Sequence, residues 1–279
     1  IVSDQSIDLS KSKFLISIGL MGFSSVMASK LLIKAQNFKQ IGTFFSEYTG
    51  QSATRLPDGF IHNGELYFNE EKRVLLGLFL SGVPAYYERK FFDELNSFIV
   101  KNNISETVLM SGFLSDYMND TEMKNPYVTP YYVTNNTKEI NSDVEQKLNV
   151  AGFKSFVELC NLKAESKDGK VKELEELHYM TGIGFAERYM KYQSKNKGTF
   201  TYIGSYIRHP LDVEAALSLF IGISNYFEFS TENSFIKSLC KVENGVNTVN
   251  IEKNNINSKI ENLSNYGFTG EWVKFTKTA

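Results

Sequence analysis

Cysteine, tryptophan and histidine are scarce in this 279-residue chain, with two Cys, one Trp and three His. Cys160 and Cys240 are too few for a disulfide framework or a thiolate metal site, and they read as free thiols of a reducing compartment. His62, His178 and His209 are scattered and show no metal-ligand spacing with Cys or carboxylates. Charge of one sign is missing too. A net charge of −2 with mixed acids and bases sets up no field that would draw nucleic acid or an anionic membrane. No apolar run reaches membrane-spanning length, because charges or glycines interrupt each one. The opening "IVSDQSIDLSKSK" lacks the apolar stretch of a secretory signal. The cytoplasm, or the nucleus by way of it, is the expected address.

What is present is an ordinary globular composition, 42% hydrophobic and 22% charged, and long enough to bury a sizeable core. Aromatics are plentiful, with 22 Phe and 15 Tyr. A Phe-rich core with Tyr at its edges explains them, and some Tyr rings also suit a protein interface.

The patterning alternates strand and helix. Phe14–Leu20 is apolar throughout, as a strand covered on both faces should be. Ser24 or Ser25 is placed to cap a helix whose apolar positions are Met27, Leu31, Ala35 and Phe38. Ile41–Tyr48 reads as a strand, and Arg55–Gly64 as turn-rich. The segment "ELYFNEEKRVLLGLFLSG" reads as two short strands about the polar turn Asn69–Lys72. Tyr87, Phe91, Leu95 and Phe98 then form one helical stripe, and Thr107–Phe113 a buried strand. "YVTPYYVTN" is extended, with Pro130 suggesting a sheet edge. Asp143–Leu162 suits a helix, and "GTFTYIGSY" is a strand. Pro210 suits the first turn of a helix that buries Val213, Leu217, Phe220 and Ile221. Lys241–Asn265, rich in Asn and Lys, reads as a mobile insertion. These patterns predict an α/β fold: a three-layer α/β/α sandwich around a mainly parallel sheet with an antiparallel hairpin.

Reactive equipment is thin. Gly19 and Gly22 supply only G-x-x-G, half of a dinucleotide fingerprint, and no P-loop Lys follows. "TGIG" at Thr181–Gly184 is no stronger, and there is no G-x-S-x-G elbow. If the sheet held a ligand beyond its strand ends, Gly19, Gly22, Glu47, Asp116, Asp120, Arg208 and His209 would line it. The alternative function is therefore a nucleoside- or small-molecule-binding enzyme on a phosphorylase-like fold.

The order of segments carries a resemblance. "FLISIGLMGFSSVMASKLLI" resembles the opening of the proteasome assembly chaperone 2 family, where a strand ends in a Gly turn and enters a helix reading roughly V-G-x-L-A-x-D-x-L-I. "FKQIGTFFSEY" is similar to that family's second strand. The run from "GELYFNEEKRVLLG" to "ETVLMSGF" is similar to its hairpin, helix and central strand. "NDTEMKNPYVTPYYVTN" resembles its acidic loop and Pro-containing extended stretch. "MTGIGFAERYM" stands where the family has a Gly-rich turn before a helix, and "TYIGSYIRHPLDVEAALSLFIGI" resembles its late strand and helix.

The likeness covers most of Phe14–Phe229 in pattern and order. It implies one domain over residues 1–279, with a variable insertion at about 136–178, an Asn/Lys-rich loop at about 241–265 and a tail at about 271–279. It further implies a non-enzymatic chaperone of 20S proteasome assembly. Such a chaperone would be paired with proteasome assembly chaperone 1 and bound to the α-subunit ring of assembly intermediates. No cofactor, nucleic acid, membrane or small-molecule substrate is implied. Tyr86, Tyr87, Tyr127, Tyr131 and Tyr132 are the candidate interface aromatics, and core packing accounts for the same rings equally well. Trp272, Lys274, Phe275, Thr278 and Ala279 are the candidate tail contacts. Family members often end in a hydrophobic–Tyr–any-residue tail, whereas this chain ends Phe275-Thr276-Lys277-Thr278-Ala279, with no Tyr second from last.

Overall fold

A computed structural model describes residues 2–3, 7–19, 23–44, 53–56, 59–62, 64–80, 83, 86–114, 130–134, 141–155, 199–207, 212–230, 240–243 and 246–249. In chain order the described elements begin with β1 (Val2–Ser3), β2 (Lys13–Ile18), α1 (Ser24–Ala35), β3 (Lys39–Thr43), β4 (Ala53–Leu56) and β5 (Gly59–His62). There follow β6 (Glu65–Asn69), β7 (Val74–Phe79), α2 (Glu88–Lys101), β8 (Glu106–Leu114), β9 (Tyr131–Thr134), α3 (Asn141–Val150) and β10 (Lys154–Ser155). The last are β11 (Thr199–Ile207), α4 (Val213–Tyr226), β12 (Cys240–Glu243) and β13 (Val246–Val249).

Among the described residues one sheet has nine strands in the order β1-β3-β6-β7-β2-β8-β11-β9-β10. Its centre, β7-β2-β8-β11, is parallel. Antiparallel pairing on both flanks joins β6 to β7, β3 to β6, β1 to β3 and β9 to β11. The expected hairpin about Asn69–Lys72 is the β6–β7 pair, and antiparallel pairing extends beyond it on each side. Two further hairpins, β4–β5 and β12–β13, stand outside this sheet.

The central strands bury both faces, and alternation divides the core in two. On one face Leu15, Leu76, Val108, Met110 and Ile203 pack with Met27, Leu31 and Leu32 of α1, Leu148 of α3, and Leu219, Phe220 and Ile223 of α4. On the other, Phe14, Ile16, Leu75, Phe79, Leu109 and Phe200 pack with Phe91, Phe92, Leu95 and Phe98 of α2. This second face is built from rings. Phe44, Phe79 and Phe91 meet at centroid distances of 5.1–5.5 Å, and Phe14 meets Phe98 edge-on at 5.8 Å, the geometry that ring quadrupoles favour. Strand β2 lies between β7 and β8, so α2, which links those two strands, crosses it on the ring face while α1 covers the other.

Helix ends follow a common rule. The chain turns left-handed after three of the four described helices, at Asn37, Asn103 and Glu228, and Gly152 does the same after α3. After α2 the Asn103 N–H donates to Val100 O and the Ile104 N–H to Ile99 O. Equivalent pairs close α3 and α4, satisfying carbonyls that the helix leaves open. At the other end of α4, Asp212 is buried and its Oδ1 accepts from the Ala215 N–H at 3.1 Å.

Several expectations are corrected. The second strand, expected over Ile41–Tyr48, is β3 at Lys39–Thr43, and residues 45–48 lie outside the described residues. Arg55–Gly64, read as turn-rich, overlaps the β4–β5 hairpin, which pairs Leu56 with Gly59. Pro130 does not mark an edge: β9 starts just after it and is hydrogen-bonded on both sides, to β11 and β10. The helix expected over Asp143–Leu162 ends at Val150, because Gly152 at φ 93° turns the chain into β10. Residues 141–155, within the expected insertion, are built into the sandwich, with Leu148 and Phe153 in its core. Helix α4 begins at Val213, beyond Pro210, with Asp212 as its cap. It is buried on nearly every side, with only Val213, Glu214 and Asn225 half-exposed, since α1, α3, β11 and β13 all pack on it. The Asn/Lys-rich stretch opens with the β12–β13 hairpin, so its first part is ordered.

Phe91 stands at the centre of the ring face and is fully buried. Phe91→Ala is expected to destabilise by about 3–5 kcal/mol. Urea denaturation followed by circular dichroism would show it, and a loss under about 1 kcal/mol would mean that the rings are not a packed core.

Candidate interaction surface

The β2–α1 corner is where a phosphate would bind if this sheet held one. Gly19 donates its N–H to Phe79 O at 2.7 Å, so that amide belongs to the junction with β7 and is not offered to an anion. A Cβ on Gly19 would lie 2.2 Å from Leu80 O and 2.7 Å from Leu80 C. The glycine is required by two backbones passing too closely for any side chain. Helix α1 then starts without a side-chain cap: Phe23 takes a left-handed conformation at φ 46°. The cap expected from Ser24 or Ser25 is not made, because the Ser25 hydroxyl turns inward and donates to Ile18 O at 2.8 Å, tying the helix to the end of β2. Gly22, Glu47, Asp116, Asp120, Arg208 and His209 lie outside the described residues, as do Cys160, His178 and the Thr181–Gly184 turn. Among the described residues no group of three His, Cys, Asp or Glu is arranged to hold a metal, and no helix is long and apolar enough to cross a membrane.

The buried ionisable groups act within the packing. On β6, Glu65 is buried and accepts from the Tyr67 hydroxyl at 2.6 Å. Lys30 of α1 lies close enough to feel its charge: burial lowers the Lys30 pKa and Glu65 partly restores it. Two residues along, Asn69 donates to Gln36 O at the end of α1, and Gln36 donates to Ser230 O beyond α4 at 2.7 Å. At the amino ends of the central strands the Tyr226 hydroxyl donates to Glu106, and Lys13 sits 5.7 Å from the Tyr226 ring and 5.3 Å from the Phe227 ring. Both phenols are pushed far up, first by burial and then by their carboxylate partners, so they remain neutral donors. These contacts fasten α1 and α4 to the sheet.

The aromatic interface candidates separate by exposure. Tyr131 and Tyr132 are 3% and 4% exposed and belong to the two cores, one on each face of β9. As interface residues they are therefore corrected to core residues. An extended pair of adjacent tyrosines inside a sheet covered on both faces must bury one ring on each side. That signal was available in "PYYVT". Tyr86 is 77% exposed, and its ring lies 4.4 Å from that of half-buried Tyr87 where α2 begins. Arg89, Lys90, Asp93 and Glu94 are exposed on the adjoining face of that helix. Val100 and Val150, also exposed, are isolated apolar side chains that the sequence did not single out. Tyr127, Trp272, Lys274, Phe275, Thr278 and Ala279 lie outside the described residues.

The fold defines a class: a three-layer α/β/α sandwich, in which exposed Tyr86 and half-buried Tyr87 stand at a helix start. Within that class the chain belongs to the PAC2 family, whose model matches residues 17–231. The fold is shared with solved structures. PbaA of Pyrococcus furiosus, an archaeal homologue of proteasome-assembly chaperone, is 12% identical over 83% of this chain and 88% of its own, with a TM-score of 0.59. PbaB of the same organism, an archaeal proteasome activator, is 11% identical over 85% and 92%, with a TM-score of 0.62. A proteasome-assembly chaperone homologue from Mycobacterium tuberculosis is 11% identical over 95% and 99%, with a TM-score of 0.52. At these identities the likeness is one of fold. No curated protein matches the chain in sequence.

Gly19→Ala is expected to destabilise by about 3 kcal/mol, since only backbone movement at Leu80 would relieve the clash. Thermal unfolding checks this, and an unchanged melting temperature would mean that the corner is looser than described. Alkali is expected to weaken the fold through the buried phenols. Burial pushes the Tyr131 phenol up to about 12, against about 10 for a free phenol. Its contribution is complete below pH ~10 and drains away as the pH rises toward 12, because the unfolded chain gives up the proton first. Tyr131→Phe should therefore lose less stability than the parent between pH 10 and 12 in urea titrations. Equal pH slopes for the two would refute this.

Proposed function

We propose that this chain is a non-enzymatic chaperone for assembly of the 20S proteasome, working as a heterodimer with proteasome assembly chaperone 1 and binding the α-subunit ring of assembly intermediates. The observation that carries the reading is membership of the PAC2 family over residues 17–231. The shared fold with PbaA, an archaeal homologue of such a chaperone, supports it.

The physical requirements of the role agree with the surface. A stable partner interface buries about 1,600 Å² and draws most of its energy from a few aromatic or Arg anchors within a polar rim. Tyr86, held against Tyr87 and flanked by the mixed charges of Arg89, Lys90, Asp93 and Glu94, has that composition. The tail residues Trp272, Lys274, Phe275, Thr278 and Ala279 form a second proposed contact. The reading places the protein in the cytoplasm, or in the nucleus by way of it. It needs no cofactor, nucleic acid, membrane or small-molecule substrate.

The tagged full chain should recover the sister chaperone and α-subunits from cells, in precursor complexes and not in mature proteasomes. Recovery of neither would overturn the proposal. Tyr86→Ala should weaken partner binding by about 30-fold, as loss of a hot-spot anchor does, and leave the melting temperature unchanged. Thermal-shift measurements with nucleosides and inorganic phosphate should show no saturable stabilisation. A dose-dependent shift, or turnover of a nucleoside, would instead support a phosphorylase-like enzyme.

A further inference from the structure

We draw no further inference here: the strongest candidate, the buried hydroxyls of Ser17 and Ser24 beside the amino end of α1, is a helix terminus with no ligand-directed observation behind it, since the Gly19 amide is already bonded to Phe79 and residues 20–22, which would complete such a site, lie outside the described residues.

Discussion

The parallel pairing of β7, β2, β8 and β11 is the constraint from which the rest follows. Those four strands place their backbone polar groups in ladders with one another, and their side chains on two apolar faces that both need cover. Parallel neighbours cannot be joined by a tight turn, so each link carries the chain across a face, and the crossing segments become the cover. Helix α1 leaves β2 on one side and α2 joins β7 to β8 on the other, so β2 is covered on both faces. On the flank the antiparallel β6–β7 pair needs no such link and closes with the short turn after Asn69, while the parallel β9–β10 pair is joined through α3.

Once a sheet is enclosed on both sides, any polar group left inside must find a partner there. Among the described residues neutral donors meet it in part, while the buried hydroxyls of Ser17, Ser29, Thr201, Ser205 and Ser218 make no hydrogen bond. Tyr67 and Tyr226 each donate a phenol hydrogen bond to a carboxylate, and Asn69 and Gln36 donate to backbone carbonyls. A neutral phenol loses little on leaving water compared with an ion, and its ring adds apolar area at the same time. The described ionisable side chains inside the sandwich thus have structural work, which agrees with reading the family's role as one of surface contact.

Much of this architecture was legible in the sequence, because hydrophobic period is a direct image of burial. The continuous apolar runs at Phe14–Leu20 and Thr107–Phe113, the stripe Tyr87–Phe91–Leu95–Phe98 and the turn at Asn69–Lys72 all mark elements that the structure contains. The misreadings share a cause. Local signals do not say how many neighbours an element has. Pro130 suggested an edge, yet β10, only two residues long, supplies an outer neighbour. The α4 stripe looked one-sided, although the helix lies in the middle of its layer. Asn and Lys between residues 241 and 249 suggested a solvated loop, but a hairpin can present polar side chains to water while its backbone pairs. Composition did not distinguish the candidate tyrosines by burial: Tyr86 is exposed and Tyr87 half-buried, whereas Tyr131 and Tyr132 lie in the two cores.

The two layers of filling differ in kind. Beneath α2 the space is taken up by phenyl rings meeting edge to face, whereas α1 and α4 themselves bury small residues, Ala28 and Ser29 on one and Ala216, Ser218 and Gly222 on the other, and a Cβ on Gly222 would come 2.7 Å from the Phe153 ring. Evolution therefore meets opposite barriers on the two sides of one sheet. The ring side resists shrinkage, because each phenyl is the wall of its neighbour's slot. The other side resists growth where it is already tight, as at Gly222, where the Phe153 ring and Pro130 leave no room for a methyl group. Divergence in such a protein is channelled outward, into loops and surfaces, while the slab between them stays the same thickness.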